Sequence, residues 1–244
     1  MKIGVIGDIH ANLAAFQATL TKLEDEGCDA IVCTGDIVGY GPSPGECVRI
    51  VREREIPCVL GNHDQYVTLL MDPRLDRLSP NIRHCVEWTQ NKLDMEDLKW
   101  LAQLPRQVDF EQLSLVHGSF GPKQWAYLTS AKAVSENFEH QSGQLAFCGH
   151  THIPLLAYFV DDETPPVLSY LTKSKLPDSS KVLINPGSVG QPRDHDPRAS
   201  CGIYNTESKS VHVARAAYDI EETQALMREA NLPEQFITRL SEGR

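Results

Sequence analysis

Five short motifs that carry metal-ligand side chains follow one another along this chain. They are Asp8-Ile9-His10, Gly35-Asp36, Gly61-Asn62-His63-Asp64, His117 and Gly149-His150-Thr151-His152. Together they supply seven carboxylate, amide or imidazole ligands and one spare histidine, which is the set that a dinuclear hydrolytic centre requires. Each motif alone is a weak signal, but their joint occurrence predicts a site for two divalent metal ions.

The first motif places two ligands after a β-rich run at residues 2–7. Asp8 and His10 are two residues apart, so an extended backbone would point both side chains the same way. A carboxylate supplies charge, and an imidazole favours manganese, iron or zinc over magnesium. The pair therefore predicts one half of a metal centre.

Two further motifs follow the predicted strands at residues 30–33 and 57–60. Asp36 alone is more typical of a turn or a helix N-cap, but it falls at the same sheet edge as Asp8 and could bridge two cations. Asn62 offers an amide oxygen, and His63 a proton donor that need not contact metal. The alternative for this motif is a turn with an incidental histidine.

The later motifs supply imidazoles. His117 follows a predicted strand at residues 113–116, while His150 and His152 flank a strand–strand turn and could share one metal or face two. A glycine directly precedes Asp8, Asp36, Asn62 and His150, which lets the chain turn sharply and keeps space free beside each ligand. The remaining histidines are predicted not to be ligands: His84, His140, His195 and His212.

The elements that must position these residues alternate between strand and helix. Apolar spacing predicts helices at 12–26, with Asn12 as N-cap, and at 44–54, with Pro44 near its start. The β-α-β-α-β order implies parallel strands whose carboxyl ends share one edge. After this β-α-β-α-β unit, residues 66–104 are predicted to form a helical insertion, and residues 119–142 a polar excursion. Residues 165–180 are predicted to form a surface hairpin or loop, and residues 220–230 a terminal helix. Further strands are predicted at 107–110, 145–148, 153–160, 181–184, 200–204 and 210–215.

Composition and charge narrow the class of protein. We expect one α/β domain over residues 1–244, with two sheets between helices. The net charge of −10 and the lack of a basic stripe argue against nucleic acid as a partner. Seven scattered cysteines without a CxxC pair, no visible signal peptide and no apolar run long enough for a bilayer favour a cytoplasmic protein without a membrane partner.

The ordered motifs resemble the calcineurin-like metallophosphoesterase superfamily, and the chain is similar in length to its small prokaryotic phosphodiesterase-like branch. The resemblance spans residues 1 to about 205 and includes Asn185-Pro186-Gly187-Ser188. It implies a four-layer α/β-β/α sandwich with two mixed β-sheets flanked by helices. It also implies hydrolysis of a small phosphorylated substrate.

The resemblance further implies a role for each motif residue. Asp8, His10, Asp36 and His152 would hold the first metal, and Asp36, Asn62, His117 and His150 the second. Manganese is the expected metal, with iron, zinc or nickel as alternatives. A metal-bridging hydroxide would attack phosphorus, and His63 would be the general acid.

One departure from the superfamily bears on the substrate. Its protein Ser/Thr phosphatases have an Asp and an Arg shortly after the bridging Asp, where this chain has Gly39 and Tyr40. This argues against a phosphoprotein and favours a phosphodiester or nucleotide. A non-catalytic scaffold of the same fold and a nuclease are the alternative functions.

Residues that contact substrate stay open at this level. Lys123, Trp125 and Tyr127 could line a pocket rim or belong to an exposed loop with one anchoring aromatic. Arg193 could reach a phosphate or form a salt bridge with Asp194 or Asp196.

Overall fold

The computed structural model describes residues 1–161 and 164–244 and contains two mixed β-sheets packed face to face between helices. The strands are β1 Lys2–Ile6, β2 Ala30–Cys33, β3 Gln107–Phe110, β4 Leu113–Val116, β5 Leu145–Phe147, β6 Pro154–Tyr158, β7 Val167–Tyr170, β8 Lys173–Lys175, β9 Val182–Pro186, β10 Ala199–Asn205 and β11 Ser210–Ala216. The helices are α1 Leu13–Asp25, α2 Pro44–Glu53, α3 Asn62–Thr68, α4 Pro80–Lys92, α5 Met95–Ala102, α6 Ala131–His140, α7 Ile220–Glu229 and α8 Glu234–Glu242, and a 3₁₀ turn spans Pro73–Arg77. The predicted fold class is confirmed.

Each sheet contains a group of parallel strands. The first sheet has the order β2-β1-β10-β11-β8, and β1 and β2 run parallel. The second has the order β3-β4-β5-β9-β6-β7, and β4, β5 and β9 run parallel. Ligands bind at the carboxyl ends of parallel strands, and each of the two sheets has a set of such strand ends.

The core follows the alternation of side chains along each strand. In β5, Leu145 and Phe147 face the first sheet, while Ala146 belongs to the cluster beneath α6. In β1, Ile3 and Val5 enter the same inter-sheet core. This period-2 pattern fixes the register of both sheets because a shift by one residue would exchange the side chains of the inter-sheet core with those beneath the helices.

Helices cover the outer faces of both sheets. Helix α1 packs on β10 and β11 of the first sheet, α2, α4 and α5 join the same apolar cluster, and α6 covers the second sheet. The α7–α8 hairpin forms a smaller cluster with Tyr40 and Cys85. Among the described residues, no helix is long and apolar enough to cross a membrane.

Several predicted elements differ from the observed ones. Residues 57–60 form a single parallel bridge, Cys33 with Cys58, because the Leu60 amide turns away to donate to the Pro105 carbonyl. Residues 165–180 are not a hairpin, since β7 pairs with β6 in one sheet and β8 with β11 in the other. The excursion at 119–142 contains α6, and α8 follows the predicted terminal helix.

Candidate metal centre

Most of the motif residues lie in loops that follow parallel strands, while Asn62, His63 and Asp64 form the first turn of α3. Asp8 and Asp36 come after β1 and β2, while His117 and His150 come after β4 and β5. The loops are joined by backbone hydrogen bonds, such as the Asp8 amide to the Gly35 carbonyl at 2.8 Å and the Gly149 amide to the His117 carbonyl at 2.8 Å. Both sheets therefore contribute to one buried cluster.

The ligand residues themselves make sharp turns. The backbone φ angle is 50° at Asp8, 48° at His10, 54° at Asp36, 69° at His150 and 61° at His152. The prediction that Asp8 and His10 share a face of extended chain is wrong, because both lie beyond β1 in the left-handed region. Non-glycine residues in this region are strained, and such strain concentrates at functional sites.

Two of the glycines leave room for a neighbouring ligand. A Cβ at Gly61 would fall on Asp36 Oδ1 and its backbone nitrogen, and one at Gly149 would lie 2.6 Å from Asp8 Oδ2. Any other residue would displace the carboxylate. At Gly61 and Gly149 the glycine thus permits close approach of two loops, while at Gly35, with a φ of +89°, the glycine also takes part in the turn.

The candidate ligand atoms form overlapping groups, two of which contain Asp36. His152 Nε2 lies 3.3 Å from Asp8 Oδ1, and His10 Nε2 lies 3.7 Å from Asp36 Oδ2. On the other side, His117 Nε2 is 3.3 Å from Asp36 Oδ2. It is also 3.0 Å from Asn62 Oδ1. Three overlapping triads have ligand atoms within 4.8 Å of one another: Asp8, His10 and His152; His10, Asp36 and His63; Asp36, His117 and His150.

Backbone carbonyls fix how three of the histidine rings are presented. The Nδ1 atoms of His10, His117 and His152 lie 3.2, 2.8 and 2.6 Å from the carbonyls of Val38, Thr34 and Gln191. A ring that donates from Nδ1 presents an Nε2 lone pair, which is how metal-ligating histidines are commonly held.

Two observations show that these residues fit cations. His10 Nε2 and His152 Nε2 face each other at 3.1 Å, and two lone pairs so oriented repel unless a cation lies beside them. His150 Nε2 is buried and has no hydrogen-bond partner among the described residues. A divalent ion would satisfy these nitrogens and compensate the buried carboxylates.

Burial and mutual charge set the protonation of the cluster. Burial raises the pKa of Asp8 to about 7 and lowers that of His150 to about 3. Burial also lowers the pKa of His10 and His152 well below the usual value. For His117, burial is outweighed by the Asp36 carboxylate, and the pKa rises to about 10. Without a metal the His117–Asp36 pair thus holds a proton that a cation would replace.

His63 is held differently from the three histidines whose Nδ1 atoms face carbonyls. Its ring packs 4.4 Å from Tyr40 and 5.0 Å from His10, measured between centroids, and its buried Nδ1 has no hydrogen-bond partner in the described part of the chain. A Cβ at Gly39 would lie 2.5 Å from this Nδ1. Gly39 and Tyr40 therefore provide the space and the packing surface for His63.

Asp64 organises the loop that carries Asp36. Its carboxylate accepts from the amides of Asp36, Ile37 and Val38 at 2.8, 2.9 and 3.2 Å, and from that of Gly61 at 3.0 Å. The sequence motif Gly61-Asn62-His63-Asp64 by itself predicts no role for Asp64. The signal was its place at the third position of α3, where carboxylates cap amides.

Two aromatic side chains lie beside His117 and His150. The Tyr127 ring lies 4.2 Å from His150 at an interplanar angle of 32°, and the Trp125 ring lies 5.7 Å from His117. Tyr127 is 54% exposed, so one face of its ring is open. Both aromatic residues therefore border the cluster, whereas the other histidines named in the sequence, at positions 84, 140, 195 and 212, belong to none of the triads.

Arg193 does not pair with either neighbouring aspartate. Asp194 binds Arg215 and Asp196 binds Arg198, whereas Arg193 Nη2 donates to Gln191 Oε1 at 2.7 Å. The Arg193 amide also donates to the His152 carbonyl at 3.2 Å, which places this residue beside the cluster.

Several known proteins are similar to this chain. The profile of the calcineurin-like phosphoesterase superfamily domain matches residues 1–209. The uncharacterized protein MJ0912 of Methanocaldococcus jannaschii is 37% identical over 251 residues, 99% of this chain and 98% of that protein. The crystal structure of a metallophosphoesterase from Sphaerobacter thermophilus has a TM-score of 0.86 and 39% identity, with 100% of both chains covered.

A more distant relative has a named activity. The symmetrical bis(5'-nucleosyl)-tetraphosphatase of Baumannia cicadellinicola is 34% identical over 142 residues, which is 54% of this chain and 46% of that protein. The match thus spans about half the length of each. The family match and the similar fold confirm the predicted resemblance: this chain belongs to the calcineurin-like phosphoesterase superfamily and is a metallophosphoesterase.

Proposed function

We propose that this protein hydrolyses phosphate esters at a dinuclear metal centre. Asp8, His10, Asp36 and His152 would hold one ion, and Asp36, Asn62, His117 and His150 the other. The observation that carries the proposal is the convergence of three buried ligand triads, two of which share Asp36. When bound, the cations supply a nucleophile at neutral pH and stabilise charge on the phosphoryl oxygens.

In this proposal His63 handles the proton of the leaving oxygen. Burial lowers its pKa to about 4, so the ring is neutral before substrate binds. A phosphate ester next to it favours the protonated form, because an opposite charge raises the pKa of an imidazole. The free Nδ1 and the packing against Tyr40 leave the ring oriented but not committed to one backbone carbonyl.

We propose a nucleotide or other phosphodiester as the substrate, in preference to a phosphoprotein. The open face of Tyr127 beside His150 offers a surface on which a base can stack. The relatedness to a tetraphosphatase points to the same class. Manganese is the proposed metal because the ligands mix imidazole with carboxylate. A reducing, cytoplasmic location is proposed because all seven cysteines are unpaired and six are buried.

The test combines metal reloading with a histidine variant. Apo-protein is loaded with manganese, iron or zinc, and an aryl phosphomonoester is compared with its diester. We expect turnover, with the diester preferred. His63→Ala should lose about 10²–10⁴ of kcat at unchanged metal content, which is the usual range for general acid catalysis. His140→Ala, an exposed histidine on α6, is the matched control.

Two results would contradict the proposal. Wild-type turnover in His63→Ala would remove this residue from the reaction. Bound metal without hydrolysis of any phosphate ester would favour the non-catalytic scaffold.

A further inference from the structure

A second arginine lies next to Arg193, and it comes from the C-terminal hairpin. Arg239 of α8 donates from Nη1 to Gln191 Oε1 at 3.3 Å, the same oxygen that Arg193 Nη2 reaches at 2.7 Å. Gln191 carries no charge, so one neutral acceptor holds two guanidinium groups together. Residues 210–244, which include α8, lie beyond the part of the chain that the family profile matches.

The pair lacks a counter-ion of its own. In residues 1–161 and 164–244, no carboxylate oxygen lies within 4.0 Å of either guanidinium, because Asp194 and Asp196 are paired with Arg215 and Arg198. The Nε atom of Arg193 is buried and has no hydrogen-bond partner among these residues. An unpaired guanidinium that is partly buried favours an anion, since guanidinium forks match phosphate oxygens.

Arg193 lies beside the cluster, since its amide donates to the His152 carbonyl at 3.2 Å, and Gln191 links it to Arg239. Burial lowers the pKa of His63, His10 and His152, and the charge of Arg193 lowers it further. For Asp8, whose pKa burial raises, the charge of Arg193 opposes the rise. Burial, and then the charge of Arg193, lowers the pKa of Arg239. Positive charge therefore continues from the cluster through Arg193 to Arg239.

Packing holds Arg239 in this position. Its guanidinium lies 5.3 Å from the ring of Phe236, and that ring packs 4.6 Å from Tyr40. Phe236, Ile237 and Leu240 are buried in the hairpin cluster. The hairpin thus presents a fixed cation, not a flexible surface side chain.

We propose that Arg193 and Arg239 form an anion subsite for a phosphoryl group adjacent to the one that reacts. The substrate class is then an oligophosphate, in which two or more phosphoryl groups are linked, as in a nucleoside polyphosphate. This inference rests on the proposed function, and it adds the C-terminal hairpin to the substrate site.

The first test compares two substrates in the manganese-loaded enzyme. Arg239→Gln should lower kcat/KM for a dinucleoside tetraphosphate at least tenfold more than kcat/KM for an aryl phosphodiester, mostly through KM, since hydrogen bonds to charged groups contribute about this much. Arg239→Lys should restore part of the loss. Arg228→Gln is the control, because Arg228 is exposed on the same hairpin and pairs with Glu234.

Binding of inorganic tripolyphosphate, measured by calorimetry, separates this inference from the proposed function. We expect binding to wild type and weakening of about tenfold in Arg239→Gln. If the enzyme hydrolyses aryl esters but Arg239→Gln affects both substrates equally, or tripolyphosphate binds both proteins alike, the subsite is wrong and the function stands. If no ester is hydrolysed while Arg239→Gln still weakens tripolyphosphate binding, the subsite stands and the function fails.

Discussion

At the scale of single residues, the ring of His63, the proposed general acid, is positioned by packing, and its Nδ1 has no hydrogen-bond partner among the described residues. Where the resemblance to the protein phosphatases implies an aspartate that orients His63, this chain has Gly39. In this protein no side chain fits at position 39, since a Cβ there would meet His63 Nδ1 at 2.5 Å. The ring is instead held between Tyr40 and His10 and by its amide, which donates to Asp36 Oδ1 at 2.8 Å.

Gly39→Ala tests this arrangement. Gly39 has a φ of +91°, so alanine adds about 1–2 kcal/mol of backbone strain and also displaces His63. We expect kcat to fall about as far as in His63→Ala, with both metals retained. Gly27→Ala is the matched control, because Gly27 has a φ of +69° and nothing within 4 Å of its added Cβ.

Steady-state kinetics and metal analysis on both variants make this comparison. Equal kcat values in Gly39→Ala and Gly27→Ala would show that the position of His63 does not depend on Gly39.

At the scale of elements, the sequence predicted the strands better than the turns. Apolar runs such as Leu113–Val116 locate strands because burial acts locally. The prediction of a third strand is wrong because the pairing with β2 stops after the Cys33–Cys58 bridge. The Leu60 amide donates instead to the carbonyl of Pro105, which is distant in the sequence. The sequence does not predict α6 because its apolar stripe is short, with Val134 and Phe138 buried and Ala133 packed beside them.

Asp64 illustrates how an element supports the site. In the wild type, backbone amides donate to the Asp64 carboxylate. Asp64→Asn keeps the shape of the side chain but puts an NH2 group in place of one of the accepting oxygens. We expect the free energy of unfolding to fall by about 2–3 kcal/mol, because buried donors lose their acceptor. Urea denaturation of the apo-protein measures the change.

The control for Asp64→Asn is Asp94→Asn. Asp94 caps α5 through one amide, that of Asp97 at 2.8 Å, and asparagine caps helices about as well as aspartate. Similar small losses in both variants would contradict the role assigned to Asp64.

At the scale of the whole molecule, the site exists because two sheets meet. The order of motifs was enough to predict which side chains come together, since parallel strands end at a shared edge. It could not reveal the left-handed turns at Asp8 and Asp36, which depend on how two loops approach each other. It also could not reveal Arg239, which meets Gln191 only after the C-terminal hairpin packs on Tyr40.

The central claim is that these residues bind two cations. The most direct test is an anomalous difference map from crystals of the manganese-loaded protein, together with its metal content in solution. We expect two peaks about 3.5–4 Å apart, on either side of Asp36, and two ions per chain. A single peak, no peak, or peaks away from Asp8, His117 and His152 would contradict the account.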